Sequence, residues 1–367
     1  MAAGGSVEIH AIEALLSSED RLRYDRTSEP ANHLVAASLK ERTSMDRRQF
    51  LGSAVAMAQP AQTPLPPADE KVSSGAGEVS YNVTATIERK RPGKPHKGKI
   101  LAAIQPHCDD IPIFAAGTVL KLIDEGYEGI LITMSDDAMA GDGVGNGEVE
   151  AKNENDTREV ARRLGLKEAI FLNYPNHNLD AWPIVEMRAR LVFLFRHFKV
   201  DTVIVYDPSG LYERNPDHYV TARAVEWAAG ICAMKWDYPE FGLAGVKPHT
   251  VSERYYFARG PQLVNRVVDI GDYIDRKVWV NLANVTQGPA GNTGDQLRKR
   301  LASQGKRLPL LGNDAETANR QYTKYFALSR DRARGAAHTL QWAEYFHYIG
   351  PDGSEWDNYI AQNAVSL

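Results

Sequence analysis

A histidine and two adjacent aspartates follow an apolar run near position 100 of this 367-residue chain. The stretch "AIQPHCDD" spans residues 103–110 and places His107 three positions before Asp110. Neighbouring carboxylates repel each other and are costly to bury, so a bound cation or a proton usually accounts for such a pair. At the start of a helix, residues three apart can face the same point. The stretch therefore predicts part of a cation site.

A second histidine, His218, ends the motif "NPDH" at the start of another predicted helix. Two imidazoles and one carboxylate, with a position left for water, match a catalytic zinc site. Asp109 does not point with Asp110 and is then free to act as a base. The alternative is that the histidines are core or capping residues and the aspartates are helix N-caps. Each residue alone fits that alternative, whereas the set as a whole favours a metal.

The elements that must position these residues follow from the apolar pattern. Five short β-rich runs alternate with helical patterns: 99–105, 129–135, 169–174, 201–207 and 254–259. Continuous apolar runs are typical of parallel strands that are buried on both faces. The alternation predicts an α/β fold with a Rossmann-like, doubly wound, mostly parallel sheet. Ligands of such sheets bind beyond the carboxyl ends of the strands, where the polar motifs fall.

The chain divides into three predicted parts. Residues 1–95 are expected to be a mostly disordered leader that ends in a linker rich in Pro, Ser, Gly and Lys over 59–95. Residues 96–290 form the predicted α/β catalytic domain. Residues 291–367 are predicted to be a helical C-terminal extension that packs on it.

The leader contains an apparent export signal at about residues 45–58. Arg47 and Arg48 precede a short apolar segment that ends in Ala-Met-Ala, which is the order of a twin-arginine signal. Export would place the protein in the periplasm or outside the cell. The alternative is a chance arginine pair in a disordered leader of a cytoplasmic protein. A signal this far into the chain leads us to hypothesise that translation starts at Met45.

Composition excludes several classes of partner. A net charge of −4 offers no basic surface for nucleic acid. No apolar run approaches the ~20 residues that a transmembrane helix needs. With Cys108 and Cys232 as the two cysteines, the chain has neither a disulfide framework nor a cysteine-rich zinc module. A metal site must therefore use His, Asp and Glu.

Two segments resemble the LmbE/PIG-L family of zinc-dependent de-N-acetylases. The segment "ILAAIQPHCDDIPIFAAGTVLKLIDEGYEGILITMS" is similar to the opening of that family, whose hallmark is (A/P)HPDD. The segment "YDPSGLYERNPDHYVTARAV" is similar to its second block, HPDH. The similarity spans about residues 97–290 and implies an LmbE-like fold.

The resemblance implies a site and an activity. It assigns His107, Asp110 and His218 as ligands of zinc, with iron(II) as a substitute, and Asp109 as the general base. The implied reaction hydrolyses the acetamide of an N-acetylglucosamine-type sugar or glycoconjugate to a free amine and acetate.

The chain departs from the family in its catalytic block. Asn215 stands where the family has a histidine that stabilises the oxyanion of the tetrahedral intermediate. Asparagine can donate a hydrogen bond but cannot titrate, so we expect a pH–rate profile without a histidine-like basic limb. Asp217 is expected to orient Asn215 or to cap the helix. Cys108 replaces the proline of the hallmark, and a small buried side chain is its simplest role.

The usual substrate contacts also differ. Asn153 and Asn176 stand where relatives carry charged residues, and we predict both as substrate-binding. His177 is a candidate replacement, although a lone loop histidine is more often solvated. Tyr206, at a strand end, either lines the sugar pocket or packs in the core.

Two alternatives to a deacetylase remain open, the first because of these departures and the second because of the ligand set. One is a catalytically impaired protein that binds N-acetylated amino sugars. The other is an iron(II) oxygenase, since two histidines and a carboxylate also form that facial triad. The α/β pattern and the free Asp109 favour the hydrolase.

Overall fold

The computed structural model describes residues 84–351 and 355–366. The predicted export signal and most of the predicted leader lie outside these residues.

The fold is built on one mixed sheet. In the described residues its strands are β1 (Thr86–Glu88), β2 (Ile100–Gln105), β3 (Glu128–Ser135), β4 (Ala169–Tyr174), β5 (Thr202–Tyr206), β6 (Glu253–Phe257), β7 (Arg266–Asp269) and β8 (Ala343–Ile349). Their order across the sheet is β1-β7-β8-β6-β5-β2-β3-β4. Every pairing is parallel except those of β8, which runs antiparallel to both neighbours. The predicted α/β fold with a mostly parallel, Rossmann-like sheet is confirmed.

Helices cover both faces of this sheet. They are α1 (Asp110–Phe114), α2 (Ala116–Asp124), α3 (Asn146–Leu164), α4 (Ile184–Phe198), α5 (Pro216–Ile231), α6 (Ile274–Asn281), α7 (Thr293–Ser303), α8 (Ala315–Tyr322), α9 (Ser329–Ala336) and α10 (Glu355–Asn363). Short 3₁₀-helices lie at Leu179–Ala181, Pro239–Ala244, Gly271–Tyr273 and Pro309–Leu311, and a short π-helix lies at Thr323–Ala327. None of the described helices is long and apolar enough to cross a membrane.

Alternate residues of β2 belong to two different hydrophobic cores. Leu101 and Ala103 pack into the core on one face of the sheet, and Ala102 and Ile104 pack into the core on the other. Successive side chains of a strand point to opposite faces, so a strand covered on both sides must be apolar throughout. Burial on both faces explains the continuous run that predicted a central parallel strand.

The sheet extends beyond both predicted domain boundaries. The predicted helical extension over 291–367 does contain α7 to α10, but it also supplies β8, which lies between β6 and β7. At the other end, β1 lies within the predicted linker and pairs with β7. Both predictions are wrong at these strands. A short apolar run cannot be assigned to strand or helix from its own pattern, and the pairing partners of both strands are distant in sequence.

Candidate metal centre

Two adjacent strands deliver the three predicted ligands to one place. β2 and β5 pair in parallel, so their carboxyl ends lie side by side. His107 and Asp110 follow β2, and His218 lies in the first turn of α5, after β5. One ligand atom from each of the three lies within 4.8 Å of those of the other two, and all three residues are buried. The convergence predicted for residues 111 positions apart is confirmed.

The donor atoms of this cluster fit a divalent metal ion. His107 Nδ1 lies 3.1 Å from His218 Nε2 and 3.4 Å from Asp110 Oδ2. His218 Nε2 is 3.8 Å from Asp110 Oδ1. Two imidazole nitrogens and a carboxylate oxygen are ligands of zinc or iron(II), and three protein ligands leave positions for water or substrate.

Asp217 orients the first histidine ligand. Its Oδ2 lies 3.0 Å from His107 Nε2, and its carboxylate also accepts the backbone N–H groups of His177 and Leu179. Burial raises the pKa of Asp217, but these hydrogen bonds outweigh burial and hold the pKa below its usual value. With a proton on Nε2, His107 turns a lone pair on Nδ1 toward the cluster. The expectation that this carboxylate orients Asn215 is wrong, because it is directed at His107 instead.

Tyr206 contacts the other two predicted ligands, Asp110 and His218. Its hydroxyl donates to Asp110 Oδ1 at 2.6 Å, and its ring stacks on His218 with a centroid distance of 4.2 Å. Burial raises the pKa of Asp110, yet the nearby His218 and His107 lower it to about 2, so Asp110 is a carboxylate. Tyr206 is 2% exposed and does not reach the cavity, so the prediction that it binds substrate is wrong.

Asp109 lies beside the cluster without joining it. Its side chain lines the same cavity, which has a volume of about 270 Å³. Removal from water, followed by the charges of Asp110 and Asp137, raises the pKa of Asp109 to about 7. Gly288 covers it: a Cβ at that position would lie 3.1 Å from Asp109 Oδ2. Its role as a base stays a prediction.

The cavity wall combines predicted and unpredicted residues. Besides the ligands and Asp109, it includes His177 and Asn215, as the sequence predicted for substrate binding and catalysis. It also includes Arg259 and Gln287, which sequence reasoning missed.

A comparison with known proteins identifies the family of this site. The family described as "PIG-L: GlcNAc-PI de-N-acetylase" matches residues 102–229, a range that contains the three ligands and Asp109. A diacetylchitobiose deacetylase of Thermococcus kodakarensis is 28% identical over 205 residues, which cover 52% of this chain and 71% of the relative. Residues 102–229 are a PIG-L-type domain. The family together with the ligand set makes this protein a metal-dependent de-N-acetylase.

Solved structures show the same fold. The N,N'-diacetylchitobiose deacetylase from Pyrococcus horikoshii superposes with a TM-score of 0.55 at 23% identity, covering 70% of this chain and 88% of that one. GalB, a 4-carboxy-2-hydroxymuconate hydratase from Pseudomonas putida, gives 0.50 at 14% identity, covering 70% and 98%. A deacetylase and a hydratase share this fold, so the fold alone does not select the reaction.

Asn215, within the PIG-L-type domain, is the N-cap of α5 and also lines the cavity. Its Oδ1 accepts the backbone N–H of Asp217 at 3.0 Å. This bond identifies which side-chain atom is the oxygen, so the NH₂ group must be on the opposite side of the amide. Within residues 84–351 nothing accepts a hydrogen bond from this NH₂ group, so it is available to a ligand.

The two other asparagines do not line the cavity, which corrects the prediction that they bind substrate. Both are buried, and both donate to the loop after β3. Asn153 Nδ2 donates to the carbonyl oxygens of Asp137 and Ala140 at 2.8 Å, and Asn176 Nδ2 donates to Asp137 Oδ1 at 3.0 Å. Their NH₂ groups hold this loop against the site.

Asp137 is the centre of this support, and the sequence did not single it out. Its Oδ2 accepts Cys108 N at 2.8 Å and Gln287 Nε2 at 2.6 Å. Cys108 is buried between them and is not among the clustered ligands, in accordance with a packing role. The position of Asp137 at the carboxyl end of β3 was a usable signal. Gln287 lies in a distant Gly-rich loop and gave none.

Proposed function

We propose that this protein uses zinc to hydrolyse the acetamide of an N-acetylglucosamine-type sugar or glycoconjugate, releasing a free amine and acetate. The observation that carries the proposal is the buried convergence of His107, Asp110 and His218 with Asp109 beside them in one cavity. Family membership selects amide hydrolysis from the reactions that such a ligand set can support. The curated relative acts on diacetylchitobiose, so short chitin-type saccharides are the first substrates to test.

The side chains divide the chemistry among them. A bound zinc ion supplies a Lewis acid and lowers the pKa of water toward ~7. Asp109 takes a proton from the attacking water as the new C–O bond forms. It returns that proton to the sugar nitrogen as the C–N bond breaks, so that amine and acetate leave. The NH₂ group of Asn215 donates to the carbonyl oxygen as negative charge develops there.

One observation favours a second candidate, a sugar-binding protein with impaired catalysis. Asn215 replaces a histidine of the family motif and cannot supply a proton. Asn215 nevertheless lines the cavity and its NH₂ group has no partner among residues 84–351, which supports retained activity. An iron(II) oxygenase would use the same triad but leaves Asp109 without a role.

Acetate release separates these candidates. Metal-loaded protein is incubated with N-acetylglucosamine, diacetylchitobiose and an N-acetylglucosaminyl lipid, and acetate and free amine are measured. We expect equimolar products, lost after chelation and restored by zinc. Saccharide binding without acetate would support the impaired binder, and turnover that requires oxygen would support the oxygenase. Iron(II) loading in parallel identifies the more effective metal.

We also propose that residues 45–58 are a twin-arginine export signal. The paired arginines, the apolar segment and the small-residue end support it, and export would place the substrate in the periplasm or outside the cell. Replacing Arg47 and Arg48 by lysine should leave unprocessed protein in the cytoplasm, while Arg91→Lys, outside the predicted signal, should not. Normal export of the double variant would contradict the proposal.

A further inference from the structure

Each histidine ligand turns its second ring nitrogen toward a carboxylate. The partner of His107 is Asp217, within the motif that marks the family. The partner of His218 lies outside that motif: His218 Nδ1 is 3.2 Å from Oε2 of Glu213, in the loop that leads into α5, at an angle that falls short of a regular hydrogen bond. Metal-binding histidines commonly donate their other N–H to a carboxylate, which fixes the tautomer and the ring orientation.

Glu213 is itself held in place from two sides. Arg259, which follows β6, donates through Nε to Glu213 Oε2 at 3.0 Å and through a second nitrogen to Oε1. The backbone N–H of Asn215 donates to Oε1 at 2.9 Å. The Glu213 side chain is only 9% exposed, so its orientation is set by these donors rather than by water. Two donors from arginine restrict a carboxylate more than one would.

The ring of His218 therefore has neighbours on three sides. Tyr206 stacks on one face, Glu213 lies at Nδ1, and Nε2 points to His107 and Asp110. A proton on Nδ1 leaves the lone pair on Nε2, where the ligand set requires it.

We propose that Glu213 is the positioning residue of His218 and that Arg259 is the cation that holds Glu213 in place. The pair sets how tightly the site binds its metal, although neither residue is a ligand. The inference rests on the proposed metal-dependent function and adds a determinant of metal affinity to it. If Glu213 and Arg259 were only a loop ion pair, their loss would change stability and leave metal affinity alone.

The test measures metal affinity and apo-protein stability separately. Wild type, Glu213→Ala, Glu213→Gln and Arg259→Gln are stripped of metal, and zinc Kd is measured by competition with a chromogenic chelator. The matched control is Asp295→Asn, since Asp295 is a partly buried carboxylate paired with an arginine, Arg298, that contacts no ligand. Thermal unfolding of each apo-protein reports stability.

We expect zinc Kd to rise about 10–100-fold in Glu213→Ala. Glu213→Gln should give a smaller rise because its carbonyl still accepts from Nδ1. Arg259→Gln should also give a smaller rise, because it frees Glu213 without removing it. Asp295→Asn should bind zinc as wild type does, and the apo Tm of Glu213→Ala should change no more than that of the control.

Two results would overturn the inference: a zinc Kd in Glu213→Ala equal to that of wild type, or a rise matched by Asp295→Asn. Failure of the proposed function looks different, because wild type itself would then bind no zinc or release no acetate.

Discussion

Two aspartates that are adjacent in sequence have opposite environments. Asp110 faces two histidines and a tyrosine hydroxyl, which keep its pKa near 2. Asp109 is partly buried beside two carboxylates, and burial together with their charges raises its pKa to about 7. The same side chain can therefore serve as a ligand in one position and as a base in the next.

Asp109→Asn should lower kcat/KM about 10²–10⁴-fold, because the isosteric amide cannot accept the proton of the attacking water. Zinc content should equal that of wild type, since Asp109 is not among the converging ligands. Acetate release measures the loss of activity, and metal analysis measures the zinc content. An Asp109→Asn variant with nearly full activity would remove Asp109 from the mechanism.

Asn215→Ala should lower kcat about 10²–10³-fold through loss of the donor to the developing oxyanion. It also removes a helix N-cap, worth about 1 kcal/mol. Asn215→Asp is the matched variant: it keeps the cap acceptor but lacks the NH₂ group, so it should lose activity without losing the cap.

Asn215→His should add a basic limb to the pH–rate profile that wild type lacks. A wild-type limb that this substitution leaves unchanged would contradict the assigned role.

At the scale of elements, the loop after α6 closes the site over Asp109. Gly288 has φ of +92°, a conformation that L-residues rarely adopt, and its Cα faces the Asp109 carboxylate directly. Gln287 donates to Asp137 and so holds the same loop in place. The loop backbone lies against Asp109 at this point, which leaves no room for a side chain at position 288.

Gly288→Ala should lower kcat by up to about 10²-fold, because its Cβ must displace either the loop or Asp109. Gly147→Ala is the control, since nothing lies within 4 Å of a Cβ there and its φ is ordinary. Acetate release by both variants is the measurement. Equal activity would show that the loop does not position the base.

A buried ion cluster joins β8 to the catalytic domain. Lys277 on α6 is fully buried and donates to Asp331 at 2.7 Å and to Glu344 at 2.6 Å. Glu344 also accepts the backbone N–H groups of Gly117 and Thr118 in α2. The cluster explains why the C-terminal segment is part of the sheet.

Lys277→Met should lower the free energy of unfolding by about 3–5 kcal/mol, because it leaves two buried carboxylates without their cation. Lys324→Met, at an ion pair whose Asp275 is largely exposed, should cost less than about 1 kcal/mol. Urea unfolding measures both.

The loss in Lys277→Met should also depend on pH. Burial raises the pKa of Asp331 to about 6 even with Lys277 beside it, and loss of that cation should raise the pKa further. The penalty is therefore absent at low pH and grows as pH rises through the folded pKa. The deficit should therefore be smaller at pH 5 than at pH 8, and a pH-independent deficit would contradict this explanation.

At the scale of the whole molecule, the candidate metal site joins residues that are 111 positions apart in the chain. The site exists only when β2 and β5 are paired, so zinc binds the native state in preference to the unfolded one. Free zinc at 100 times its Kd should stabilise the protein by about 2.7 kcal/mol. Thermal unfolding across a zinc titration should show Tm rising in wild type and unchanged in His218→Ala. Equal shifts in both would place the bound zinc elsewhere.

The sequence by itself determined the strand–helix alternation, the two ligand-bearing motifs and the sheet edge at which they meet. These depend on apolar periodicity and on spacing between near neighbours, both of which can be read along the chain. The tertiary structure decided that Tyr206, Asn153 and Asn176 hold the residues of the site and do not line its cavity. It also decided that Glu213 faces His218 and that β8 lies within the sheet. Each of these depends on contacts between residues far apart in the chain. A side chain's partner there is chosen by packing and hydrogen bonding that local pattern does not encode.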